Sequence, residues 1–248
     1  MYRIIADFHT HTRYSHGKGS IEDNVLAARR KGLEKIAITG HGFRHIRIGI
    51  KPNDVDKMRE EVQRLNDKYS DIEILLGIES NLIGLDGTID IPDEYIDKFD
   101  IILMGFHKGA MPKSFNDAIK LYGSNLVYNI LPVDREKIRM QNTQAMIRAI
   151  EKYPIKIITH PGAKIDIDTK LLAKHAAKRD VALEINASHG FMTVEYVRIA
   201  LKEGAKFVIN SDAHHPSRVG DFKRAIEIAL AADLNPDRII NARIAKQT

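Results

Sequence analysis

The chain has 248 residues, of which 44% are hydrophobic, and carries a net charge of +5 with a pI near 9.2. This length and apolar content suit one sizeable core and exclude a disordered chain, while no apolar run approaches the roughly 18 to 20 residues of a membrane-spanning helix. The absence of cysteine excludes both a disulfide framework and a thiolate metal site.

Short β-branched runs alternate along the chain with segments whose apolar residues recur every three or four positions. The first strand is predicted over Ile4–Phe8. Because the opening Tyr2-Arg3-Ile4-Ile5-Ala6-Asp7 reads as strand rather than as a secretion signal, cytoplasm is the expected compartment. Ser20 is a predicted N-cap for a helix over Ile21–Lys31, with Glu22 and Asp23 in its first turn. A strand follows over Lys35–Thr39, a helix over Val55–Tyr69, and strands over Ile72–Ile78 and Asp100–Phe106. The second half repeats the pattern, with helices Arg135–Lys152, Thr169–Arg179, Val194–Lys202 and Arg218–Leu230 between strands Ile155–Thr159, Ala182–Asn186 and Lys206–Asn210. Gly204 fits a helix stop after Lys202. No repeat, low-complexity tract or linker divides the chain, so residues 1–248 are read as one domain. Seven apolar strands without strict alternation point to a parallel α/β fold, either a barrel or a doubly wound sheet.

The polar residues at the strand ends carry the functional signal. Strand one runs into His9-Thr10-His11, strand two into His41, strand three into Glu79, strand four into His107, strand five into His160 and strand seven into Asp212-Ala213-His214. Six of the eleven histidines therefore stand where parallel strands end, and in a barrel all those ends open on one face. The pairs His9/His11 and Asp212/His214 have the two-residue spacing that puts side chains on one side of extended backbone. A lone histidine in such a place is ordinarily a hydrogen-bonded polar residue or a cap, but a structural role gives no reason for imidazoles to select one end of nearly every strand. Metal ligation does. His16 lies in the loop after strand one and completes the set; His45 and His189 lie on loops at the same face, His175 reads as a surface residue, and His215 points the other way on extended backbone.

These residues carry a resemblance. Asp7-x-His9-x-His11-Thr12 with His16, Ile38-Thr39-x-His41, Gly77-x-Glu79, Gly105-x-His107, His160-Pro161 and Ser211-Asp212-x-His214 together resemble the PHP (polymerase and histidinol phosphatase) family, in order and over nearly the whole chain. The closest likeness is to its small stand-alone phosphatase branch. The resemblance implies a distorted (β/α)7 TIM-like barrel and three divalent metal ions, with zinc first and manganese or iron as alternatives. Carried over by position, His9, His11, Glu79 and Asp212 would hold one metal, Glu79 would bridge to a second held with His107 and His160, and His16, His41 and His214 would hold the third. Glu79, Asp212 and His214 are the implied catalytic residues. One departure stands out: the family commonly has Asp where this chain has Gly40, which bears on how His41 is oriented and on occupancy of the third site.

Metal ions in such a cluster would lower the pKa of a bridging water from about 15.7 towards 7 and neutralise phosphoryl oxygens, so the expected reaction is hydrolysis of a phosphate ester by a metal-activated hydroxide. Neither a G-x-S-x-G elbow nor a G-x-x-x-x-G-K-[ST] loop is present. Lys108, Arg44 and Arg218 are candidate contacts to substrate, and Asp7 and Asn186 candidate orienting residues behind the ligands. The expected substrate is a small phosphorylated metabolite. Phosphodiester or nucleic-acid cleavage is the nearest rival, and the lack of a basic stripe with interleaved aromatics weighs against it. Amide or lactone hydrolysis and a non-catalytic metal-bound scaffold are further alternatives. The sequence is silent on oligomeric state.

Overall fold

The computed structural model describes residues 2–128 and 134–244. After a short strand β1 (Tyr2–Ile4), strands β2 (Ala6–Thr10), β3 (Lys35–Ile38), β4 (Glu73–Asn81), β5 (Ile101–Gly105), β6 (Ile155–Ile158), β7 (Ala182–Asn186) and β8 (Lys206–Asn210) form one seven-stranded sheet. All six ladders are parallel and the spatial order follows the chain order without reversal. A doubly wound sheet would reverse direction at a switch point, so this is the barrel alternative. Helices α1 (Ile21–Arg30), α2 (Val55–Lys68), α3 (Asp93–Ile96), α4 (Phe115–Asp117), α5 (Ser124–Val127), α6 (Arg135–Lys152), α7 (Thr169–Lys178), α8 (Val194–Lys202) and α9 (Lys223–Ala231) connect the strands, and a π-helical stretch over Ala118–Gly123 joins α4 to α5. Among the described residues no helix is long and apolar enough to cross a membrane.

The helix starts follow local chemistry. Ser20 caps α1 in a reciprocal box with Asp23, and Asp134, Asp168 and Thr193 accept from the third backbone amide of α6, α7 and α8. Gly204 takes φ +83° at the end of α8, a conformation that favours glycine.

Several boundaries differ from the sequence reading. The first predicted strand divides at Ile5: β1 leaves the barrel to pair antiparallel with β9 (Ala242–Ile244), and β2 begins at Ala6. β4 continues past Ile78 to Asn81 because its ladder with β5 runs on to Asn81↔Gly105. The last helix begins at Lys223 rather than Arg218, since Gly220 turns the chain at φ +72° and donates its amide to the buried Asp7. The α3 turn and the α4–α5 segment have no counterpart in the predicted elements, being too short to show a helical period.

The inner face of the strands changes character along its length. Leu103, Ile157, Ala182 and Val208 form a separate apolar cluster, while their neighbours Ile102, Met104, Ile158, Leu183, Phe207 and Ile209 belong to the main core. That alternation of period two identifies the small cluster as the barrel floor. One inward step further on stand Gly105, Thr159, Glu184 and Asn210, so the barrel is apolar below and polar at its mouth.

The seam between β2 and β8 is closed without a regular ladder. Thr10 and Ala213 form a single parallel bridge, with the His11 amide donating to the Ala213 carbonyl at 2.8 Å. Two side-chain amides fill the rest: Asn210 accepts from the Phe8 amide, and Asn241 donates to the Ala6 and Ile209 carbonyls while accepting from the Ile209 amide. Asn241 is 1% exposed, so its removal strands three buried backbone groups. Asn241→Ala is expected to lower unfolding free energy by about 3 kcal/mol in a denaturant titration, well beyond a surface substitution.

Candidate metal centre

Glu79 lies inside the mouth near the end of β4, fully buried, and faces histidines from four other strand ends. Its Oε2 is 2.9 Å from His41 Nδ1, 3.3 Å from His9 Nε2 and 3.7 Å from His11 Nε2. Its Oε1 is 2.9 Å from His160 Nε2 and 3.5 Å from His107 Nε2. Asp212 is the second carboxylate, with Oδ1 3.4 Å from His9 Nε2 and 3.3 Å from His11 Nε2. His16 and His214 complete the face: His214 stacks on His11 at 4.3 Å between ring centroids and meets His16 edge-on at 4.1 Å. All nine residues named from the sequence as ligands therefore come together.

The donor atoms fit cations. His9 Nε2, both ring nitrogens of His11, His41 Nδ1, His160 Nδ1 and Glu79 Oε2 are buried without a hydrogen-bond partner. So many unpaired polar atoms in one place are costly unless something positive binds them. Three groups hold candidate ligand atoms within 4.8 Å of one another: His9/His11/Asp212, His41/Glu79/His107 and His11/His16/His41/His214. Burial holds His11 down to about 3 and His16 down to about 4, and keeps His107 well below the usual histidine range. Those imidazoles stay neutral with lone pairs to offer. Burial also opposes charge on Glu79 and Asp212, yet His9 and its neighbouring imidazoles outweigh it and hold both carboxyls well below the usual range. At His9 burial is in turn outweighed by Asp212, Glu79 and Glu184, which hold its pKa well above the ordinary value. The centre combines ionised carboxylates with nitrogen lone pairs and no sulfur, a donor set for zinc, manganese or iron.

A polar frame behind the ligands fixes them. Glu184, buried on β7, accepts from His9 Nδ1 at 2.8 Å and from Asn210 on one oxygen, and from the His160 amide at 2.7 Å and from Asn186 on the other. Asn186 also donates to Asp212 Oδ2 at 3.2 Å and accepts from the amides of Ser188 and His189. On the opposite side Asn81 accepts from His107 Nδ1 at 2.7 Å and is itself held by Asp90, which receives both its amide and its side-chain N–H. Gly42 is required beside Asp90, since a Cβ there would lie 2.0 Å from the carboxylate. Asp7 stands below the centre, accepting from the Ser211 hydroxyl and from the Ser211 and Gly220 amides; burial raises its pKa to about 6. Sequence reasoning named Asp7 and Asn186 but not Glu184, Asn81 or Asp90. A carboxylate in the middle of the apolar strand Ala-Leu-Glu-Ile-Asn was the available signal for Glu184.

Gly40 has a physical account. A Cβ there would meet Ser15 Cβ at 2.9 Å and Ile50 at 3.0 Å. Ser15 instead braces His41, accepting its backbone amide at 3.2 Å while donating to the Ile48 carbonyl. The backbone beside the centre is also unusual. His160, Asp212 and Lys164 adopt φ of +29°, +54° and +64°, a region that non-glycine residues occupy at a cost and that recurs at functional sites.

Above this cluster opens a cavity of about 370 Å³, lined by His16, His41, His107, His160 and His214 together with His45, His189, Ser188 and Lys164. Of the cations named from the sequence, none lines it. Lys108 lines an adjoining cavity of about 400 Å³ that shares Lys164, Arg218 lines another beside Asp212 and His214, and the Arg44 guanidinium donates to the Pro112 carbonyl. His175 pairs with Glu151 away from the site, and His215 caps the turn at Pro216.

A parallel barrel whose mouth gathers imidazoles around two buried carboxylates offers groups that could hold metal ions. The model of the PHP domain matches residues 7–214 of this chain. The probable phosphatase YcdX of Escherichia coli is 32% identical over 260 residues, spanning 97% of this chain and 90% of that protein, and its Shigella boydii counterpart matches equally. Among solved structures, HisK from Listeria monocytogenes superposes with a TM-score of 0.63 at 19% identity, covering 87% of this chain and 97% of that one. Histidinol phosphate phosphatase from Lactococcus lactis, solved with zinc, L-histidinol and phosphate, gives 0.62 at 14% identity with 92% of each chain covered. The chain belongs to the PHP domain family of metal-dependent phosphoesterases.

Glu184→Gln replaces one acceptor oxygen by an N–H, so the two donors on that side, His9 with Asn210 or the His160 amide with Asn186, lose their acceptor. Zinc affinity, measured by competition with a chromophoric chelator, is expected to fall about 10- to 100-fold while circular dichroism stays that of a folded barrel.

Proposed function

We propose that the chain is a phosphomonoesterase acting on a small phosphorylated metabolite at a trinuclear metal site. The observation that carries this reading is the two-sided environment of Glu79, whose Oε2 faces His9, His11 and His41 and whose Oε1 faces His107 and His160. A carboxylate so placed suits a bridging ligand. His9, His11, Glu79 and Asp212 would hold the first ion, Glu79, His107 and His160 the second, and His16, His41 and His214 the third. Zinc, with manganese or iron as alternatives, would supply Lewis acidity that makes water a usable nucleophile near neutral pH and offsets phosphoryl charge.

The residues of the chain supply position and exclusion. His9 and His160 are held by Glu184 and His107 by Asn81, so the donors need little reorganisation when substrate binds. Ser188 is the hydroxyl at the cavity, and its Oγ donates to the Ser211 carbonyl rather than to an imidazole, so water rather than serine is the attacking group. Glu79, Asp212 and His214 form the working edge, with Asp212 and His214 opening onto the cavity. Lys164 is the one lysine or arginine lining that cavity among the described residues. It is placed to meet a non-bridging phosphoryl oxygen, a role for which Lys108 and Arg218 stand one cavity further out.

Two variants test this. Glu79→Ala is expected to lose bound metal and turnover of p-nitrophenyl phosphate while retaining its fold; normal turnover would contradict the bridging role. Lys164→Ala is expected to keep its metal and to raise KM for that ester about 10- to 100-fold, as removal of a charge-assisted contact does.

A further inference from the structure

The metal cavity does not end at the imidazoles. Through Ser188, Asp212 and His214 it adjoins a cavity of about 330 Å³ that also takes in Lys18 and Arg218. Through Ser188 and Arg218 that space adjoins another of about 430 Å³, lined further by Lys223 and Arg224 with Asp221 and Glu227. The lining thus passes from imidazoles beside Glu79 and Asp212 to lysine and arginine side chains farther out.

Those cations are only partly neutralised. Arg218 pairs with Asp221 at 2.6 Å. Arg224 forms neither an ion pair nor a side-chain hydrogen bond among the described residues, although Asp221 and Glu227 line the same cavity. Its guanidinium lies against the loop after β7: a Cβ on Gly190 would be 1.9 Å from its Nη2. Glycine at position 190 is what lets the guanidinium lie there, beside the space that Ser188 joins to the metals. A guanidinium packed closely against backbone and left without a carboxylate suits recognition of a bidentate anion.

We propose that the substrate is a small molecule with two anionic groups: one phosphoryl group hydrolysed at the metals and a second phosphate or carboxylate seated against Arg218 and Arg224. The inference rests on the phosphomonoesterase reading and narrows its substrate class. The second group remains attached to the product and serves binding rather than chemistry, so its contribution falls on KM more than on kcat.

The test uses zinc-loaded full-length protein and short alkane bisphosphonates, each compared by titration calorimetry with the alkylphosphonate of the same chain length. A bisphosphonate of suitable length is expected to bind about tenfold more tightly than its single-headed counterpart, and the Arg218→Gln/Arg224→Gln variant is expected to bring that ratio close to unity. Both side chains are exposed, so the variant retains its fold. Bis-carboxylate and mixed phosphonate–carboxylate probes identify the second head group. Equal affinities in the unaltered protein at every length would overturn the proposal even if p-nitrophenyl phosphate were turned over. The tenfold preference with no turnover of that ester would support the cationic site and contradict the phosphatase reading alone. A short 5′-phosphorylated oligonucleotide that displaced the probes with higher affinity would overturn the small-molecule assignment.

Discussion

Glu79 is buried on the inner face of β4, and a carboxylate in that position stays ionised only if positive charge or directed donors surround it. The barrel answers by bringing every neighbouring strand end to the same point with an imidazole. Against burial, the carboxylates raise the pKa of His9 and His160, while burial lowers those of His11, His16 and His107 and leaves them neutral, with lone pairs that suit bound cations. The constraint reaches into the fold. β4 must continue past Ile78 to carry Glu79 inward, and the apolar floor of Leu103, Ile157, Ala182 and Val208 must stop one layer below it.

A centre of this kind needs a rigid surround, since misplaced ligands lose most of their value. Glu184 supplies it on one side by tying His9 of β2, the His160 amide just beyond β6 and Asn210 of β8 to β7 through three hydrogen bonds, with a fourth from Asn186 of β7 itself, and the Asp90–Asn81 pair supplies it on the other. The open seam between β2 and β8 is part of the same design. Asn210 closes the seam with its carbonyl and braces Glu184 with its amide, so closure of the barrel and orientation of His9 are coupled in one side chain. The left-handed backbone at His160 and Asp212 fits that picture, because strain there persists only where surrounding contacts over-determine the conformation.

The strands, the barrel class and the ring of strand-end histidines were legible in the sequence because each depends on local periodicity and on where a strand stops. Eight of the nine clustered residues were legible for the same reason, since each stands at a strand end, whereas His16 lies in the loop after the first strand. What was not legible depends on tertiary approach. Lys164 lies four residues beyond His160 in a loop without a period, and only the fold brings it to the cavity above the histidines. The start of α9 at Lys223 depends on Gly220 meeting Asp7, more than two hundred positions away. Arg44 stands near a ligand in sequence but is drawn to Pro112 by a contact between loops. Glu184 was visible as a lone carboxylate in an apolar strand, and its meaning required knowing that its face of the strand points into the barrel.

The most direct test of the account is metal stoichiometry by elemental analysis of protein purified without added metal, with turnover of p-nitrophenyl phosphate followed through chelation and metal return. The account predicts close to three divalent ions per chain, loss of activity on chelation and recovery on reloading. A chain that holds little metal and stays inactive after reloading would contradict it.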